Sequence, residues 1–157
     1  MRFLVAVDGS ESSDAAVAHA VELARGLGAS LTVVHSVDPG AAVETSMVEE
    51  AGDGDGEAVA YAEADDRAVR AAIDEAERRG RRALTEARDR VAAAGVDVGS
   101  ELLFGTPVDA LPRYAAQVDV DGIFVGHRSA AERDGEVVGS VARGLVERSP
   151  VPVTVVR

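Results

Sequence analysis

The sequence predicts a single α/β domain over residues 1–157, doubly wound and Rossmann-like, with a five-stranded, mostly parallel sheet and helices on both faces. Three observations carry that prediction. Short β-branched runs alternate with longer stretches whose apolar residues recur every three or four positions, and such alternation requires crossovers between parallel strands. The run Gly122-Ile123-Phe124-Val125 is apolar throughout, as a strand covered on both faces must be. A chain of 157 residues is also the length of one core, burying roughly two-thirds of the surface that the unfolded chain exposes.

Arg2 to Val7 reads as the first strand. Asp8-Gly9-Ser10-Glu11-Ser12-Ser13 follows with turn and capping residues, which places a helix start near Ser12 or Ser13. Val17, Ala20, Val21, Ala24 and Leu27 keep helical spacing up to Gly28, a residue able to end the helix in the left-handed conformation. Ser30 to Val37 is the second strand, stopped by Asp38-Pro39-Gly40. From Gly40 to about Asp65 the chain is rich in Ala, Gly and acids, with little apolar bulk to set against ordering entropy, and is expected to be an acidic mobile loop. Val69, Ile73, Ala76, Gly80, Leu84, Ala87, Val91 and Ala94 then mark one long amphipathic helix. Val96 to Phe104 is the third strand, Pro107 to Gln117 a helix opened by proline, and Gly122 to Val125 the fourth strand, closed by Gly126. A polar loop from His127 leads to a helix over Val141 to Arg148 and a last strand over Val151 to Val156.

Composition narrows the partners. Acidic residues number 28 against 16 basic, a net charge of −12, and every basic residue is arginine. Such a surface repels phosphate backbones and anionic headgroups, so neither nucleic acid nor membrane is expected as a partner. The absence of cysteine removes disulfides, thiolate nucleophiles and sulfur-ligated metal. The apolar opening run is too short for a signal peptide or a span, and a cytoplasmic location is expected. An acidic, lysine-free surface with 3% aromatics leads us to expect a protein adapted to high salt, where ions screen self-repulsion.

In an open parallel sheet, ligands bind beyond the carboxyl ends of the strands where strand order reverses. The residues there are Asp8-Gly9-Ser10, Ser36 to Asp38, Gly105-Thr106 and the loop opening at Gly126. Gly126, Ser129, Gly139 and Ser140 stand after a buried strand and before a helix start, a context that suits phosphate: glycines allow close approach, and first-turn amides are donors at the positive end of the helix dipole. Arg128 and Arg133 add cations within reach. Glu132, Asp134 and Glu136 in the same loop would repel phosphate, so a plain surface loop fits the residues equally.

The opening Val5-Ala6-Val7-Asp8-Gly9-Ser10, the turn Gly105-Thr106-Pro107 and the ending with Gly139-Ser140-Val141 and Ser149-Pro150-Val151-Pro152-Val153 resemble the universal stress protein family, over nearly the whole chain apart from residues 40–65. The resemblance implies sheet order 3-2-1-4-5 and a homodimer paired through the last strand, residues Val151, Val153, Thr154, Val155 and Val156. In that order the strand is an uncovered apolar edge, which a second chain would complete. Some members bind ATP through Gly, two residues, Gly, nine residues, Gly and Ser or Thr. Carried over by position, Gly126 and Gly139-Ser140 would hold the triphosphate of ATP with Mg, Val141 would continue the helix start beneath it, Asp8 with its neighbours Ala6 and Gly9 would meet adenine and ribose, and Ser36 or Val37 would line the adenine pocket. The motif's second glycine is Ser129 here, which fits if its backbone keeps a negative φ.

Other constellations are structural. Asp53-Gly54-Asp55-Gly56-Glu57 lacks the glycine and glutamate of a calcium loop, where Ala58 and Ala64 stand. The arginines around Gly80 fall four residues from acids, as Asp74 from Arg78 and Glu77 from Arg81, and make a self-compensated solvated face. His19, His35 and His127 form no metal spacing, no serine has an activating motif, and no catalytic residue or metal ligand is assigned. The expected function is an ATP-binding stress-response module without strong catalysis. The alternatives are a ligand-free partner-binding protein with a lapsed site and, more weakly, a slow ATP hydrolase.

Overall fold

The computed structural model describes residues 1–51, 66–129 and 137–157, with the side chains of 48–51 left aside. Five strands, β1 (Arg2–Ala6), β2 (Ser30–Val37), β3 (Val98–Phe104), β4 (Gly122–Gly126) and β5 (Val153–Val156), form one sheet in the order β3-β2-β1-β4-β5. All four pairings are parallel. Leu4 and Val5 of β1 are fully buried on opposite sides, because side chains alternate across a strand and both faces here are covered.

Helices α1 (Glu11–Leu27) and α3 (Asp66–Ala93) cover one face, where Val17, Ala20, Leu84 and Val91 pack on Val5, Val33 and Phe124. Helices α4 (Pro107–Val118) and α5 (Ser140–Arg148) cover the other, where Leu111 and Leu145 pack on Leu4, Val34 and Ile123. Phe3 and Phe124 meet edge to face at 5.4 Å.

Several boundaries differ from the sequence reading for identifiable reasons. α1 begins at Glu11, earlier than Ser12 or Ser13, because the Ser10 side chain accepts from the Ser13 amide at 3.2 Å and caps the helix. Gly28 ends it in the left-handed conformation, as expected, with φ of 63°. β5 begins at Val153 instead of Val151: the Ser149 hydroxyl accepts from the Val151 amide and donates to the Val151 carbonyl, and Pro152 has no amide to donate.

The expected loop over 40–65 is helical in its first part. An additional helix, α2 (Pro39–Ala51), starts where Asp38 Oδ1 accepts from the amides of Gly40 and Ala41, at 3.0 and 3.4 Å. An aspartate cap followed by proline at the first helical position was the signal available in the sequence. Residues 52–65, and with them the calcium-like run, lie outside the described residues. On α3, Arg78 pairs with Glu75 at 2.9 Å, not with Asp74, and Arg81 pairs with Glu77 at 3.9 Å.

Candidate functional site

Strand order reverses between β1 and β4, since the chain runs outward through β2 and β3 before returning to the other side of β1. Neighbouring connections there leave in opposite directions, and a cleft opens beyond the strand ends. The cleft is open to solvent at its mouth. Ala6, Val7 and Asp8 contribute from β1, Val34 to Ser36 from β2, and Val125, Gly126, Arg128 and Ser129 from β4 and its loop. Pro107 and Leu111 of α4 and Val141 of α5 close the far side.

Six of the ten predicted ligand residues therefore line one cleft: Ala6, Asp8, Ser36, Gly126, Ser129 and Val141. Gly9, Val37, Gly139 and Ser140 stand beside it rather than in its wall. Val37 is buried at 2% exposure, one residue out of phase with Ser36. The Gly139 amide donates to the His127 carbonyl at 2.7 Å, while its own carbonyl accepts from the Arg143 amide at 3.0 Å as the N-cap of α5. The bond to His127 sets the start of α5 against the end of β4. First-turn amides of a helix lack intrahelical acceptors and lie at the positive end of its dipole.

The turn after β1 is tightly organised. Asp8 Oδ1 accepts from the Ser10 amide at 3.0 Å and the Ser10 hydroxyl at 2.6 Å. Gly9 takes φ of 80°, a conformation that glycine adopts without penalty. Ser13 Oγ donates to the Ser10 carbonyl at 3.0 Å, locking the turn to α1. On the opposite wall, the Ser36 hydroxyl donates to the Gly105 carbonyl at 2.7 Å, and Gly105 has φ of 119°. The β4 end carries no side chain at Gly126 because the first turn of α1 lies directly against it: a Cβ there would meet the Ser12 backbone at 2.6 Å.

Ser129 stands at the motif's glycine position without strain. Among the described residues, Asp119 is the one non-glycine with positive φ, so the Ser129 backbone suits an L-residue. Sequence reasoning missed His35, Val34, Leu111 and Ser13 as wall residues. Leu111 follows Pro107 by one helical turn, and the alternation of β2 brings Val34 and Ser36 to one face, so both signals were present. The entry of Ser13 and His35 depends on how α1 and α3 dock, which no local pattern encodes.

Parallel strands in the order β3-β2-β1-β4-β5, with helices on both faces and a cleft at the switch point, define the chain as a doubly wound α/β domain. More particularly, it belongs to the universal stress protein family, whose family model matches residues 1–157. It is 28% identical over 170 aligned positions to the stress response protein NhaX of Bacillus subtilis, covering 99% of this chain and 97% of the relative. Universal stress protein UspA from Lactobacillus plantarum superposes with a TM-score of 0.77 at 23% identity, over 100% of this chain and 97% of the other. A universal stress protein solved in complex with cAMP is 28% identical, with a TM-score of 0.68, over 100% of this chain and 97% of that one.

Proposed function

We propose that this protein is a stress-response module that binds an adenine nucleotide, ATP with Mg in the first instance, in the cleft between β1 and β4. The carrying observation is that Asp8, Ser36, Gly126, Ser129 and Val141, far apart in sequence, wall one cleft beside the start of α5. The relative solved with cAMP supports the adenine class. In this reading Asp8 and Ala6 meet adenine and ribose, Ser36 edges the base, and the loop from Gly126 to Ser129 with the first turn of α5 receives the phosphates. Arg128 offsets part of their charge. Asp8 is the one carboxylate in the described wall, so Mg would be carried on the phosphates.

The module works as a homodimer paired along β5, an edge strand bonded on one side to β4. Val153, Val155 and Val156 are half-buried and Thr154 is exposed along that edge, and an uncovered apolar edge calls for a second strand. Val151 precedes the strand and packs inward on the α4–α5 face. Binding rather than turnover is the proposed task.

The test is release of bound small molecules from purified protein with identification by mass spectrometry, then calorimetric titration with ATP, AMP and cAMP in molar potassium chloride. Recovery and rebinding of ATP, lost in Gly139→Val, is the expected result. No adenine nucleotide in either arm would move the assignment to a ligand-free interaction module. Light scattering at micromolar protein gives the mass: a monomer would end the dimer reading.

A further inference from the structure

Resting on the nucleotide reading of the cleft, we propose that His35 is a positioning residue through which the seating of α3 sets the geometry of the Asp8 turn and hence nucleotide affinity. His35 Nδ1 lies 2.7 Å from the Val7 carbonyl. A carbonyl oxygen only accepts, so Nδ1 carries the proton and the tautomer is fixed. The Val7 amide donates to the Val34 carbonyl at 2.9 Å. Val7 is thus held to β2 at both its backbone groups, and the second hold is a side chain that can move. The next residue is Asp8, whose Oδ1 organises Ser10 and with it the cap of α1.

The other side of the imidazole rests on α3. A Cβ on Gly80 would come within 2.9 Å of His35 Nε2, closer still to Cδ2, and within 3.1 Å of Leu102 Cδ1. Helix interiors disfavour glycine, yet Gly80 lies buried near the middle of the 28-residue α3. Its missing side chain is the space that the ring occupies. Leu102 is the register partner of His35 on β3 and borders the same space beneath Gly80, so a shift of α3 toward the sheet presses on the ring that holds the Val7 carbonyl. α3 also packs on α2, which places the α2–α3 pair in mechanical contact with the cleft wall.

The experiment reads amide hydrogen exchange at Asp8 and Ser10 in the full chain without nucleotide, followed by calorimetric titration with ATP and Mg. Both amides are donors in this turn, to Ser13 Oγ and Asp8 Oδ1, so their protection reports its integrity. His35→Leu, which keeps bulk and loses the donor, and Gly80→Ala, remote from the cleft, are each expected to speed exchange and weaken ATP binding about tenfold, the effect of one net hydrogen bond. His35→Asn offers an amide donor where Nδ1 stands, and should hold both quantities within about threefold of the parent. Unchanged exchange in Gly80→Ala, or a His35→Asn variant as fast as His35→Leu, would overturn the proposal. If His35→Leu does not fold, Gly80→Ala with and without His35→Asn decides. Should the parent bind no ATP while exchange responds as expected, the nucleotide reading fails and the control of the Asp8 turn by His35 stands.

Discussion

Gly126 at the end of β4 lies so close to Ser12 in the first turn of α1 that a Cβ on it would sit 2.6 Å from the Ser12 carbonyl carbon and oxygen. The obstacle is backbone, which cannot rotate away. Ser12 Oγ also lies 3.1 Å from Nδ1 of His127, so the two segments are joined by a side-chain bond as well as by contact. Gly126→Ala should cost about 2 kcal/mol of stability through overpacking. Urea denaturation measures that, and the same variant should lose nucleotide affinity because β4 and α1 part at the cleft.

Asp8 has a role in the fold as well as in the cleft. Removing its acceptor in Asp8→Ala strands the Ser10 amide and hydroxyl and should lower stability by about 1–2 kcal/mol. Asp8→Asn keeps an oxygen in the same place and should remain near the parent by thermal denaturation. A difference between the two in ATP titration then isolates the charge.

Ser129→Gly tests the departure from the glycine motif. Because the Ser129 backbone is already of ordinary hand, glycine relieves no strain and should bind ATP no more than about threefold tighter than the parent. Calorimetry that finds binding only in Ser129→Gly would mark the natural site as lapsed.

Asp109 links α4 to α5, accepting from the Thr106 hydroxyl at 2.8 Å and pairing with Arg148 at 2.5 Å. The Thr106 hydroxyl first, and the Arg148 guanidinium after it, hold its carboxyl below the ordinary value of 3.8. A carboxyl lowered in the folded state stabilises it above the unfolded value and loses that contribution as pH falls through the folded one. Melting temperatures of the parent and Asp109→Asn should therefore differ slightly at neutral pH and converge as pH falls below about 3.8. Salt should shrink the difference, since both partners are exposed.

The net charge of −12 sets a salt dependence of the whole fold. Raising potassium chloride toward about 1 M shortens the screening length to about 3 Å and should raise the melting temperature by relieving self-repulsion. A flat or falling melting curve would count against salt adaptation.

Strand and helix positions were legible along the chain because their signals are local. Gly28 as a helix end, the fully buried run at Gly122–Val125 and the period of α3 each sit within one window of sequence. α2 is hard to read locally because its apolar pattern is weak beside the Asp38-Pro39 cap, and its burial of Ala42 comes from packing beside α3. The sheet order came by family resemblance, since alternation alone leaves several orders open.

By itself the sequence determined the class of fold, the strand ends where a ligand would sit, and the charge the protein carries into solution. Only the tertiary structure decided which of those residues share a wall, that Gly139 spends its amide on His127, and why residues 80 and 126 must be glycine. The physical reason is one of range. Hydrophobic period and capping act over a few residues, whereas the contacts of Gly80 with His35 and of Gly126 with Ser12 join segments that meet only after the crossovers have closed the sheet.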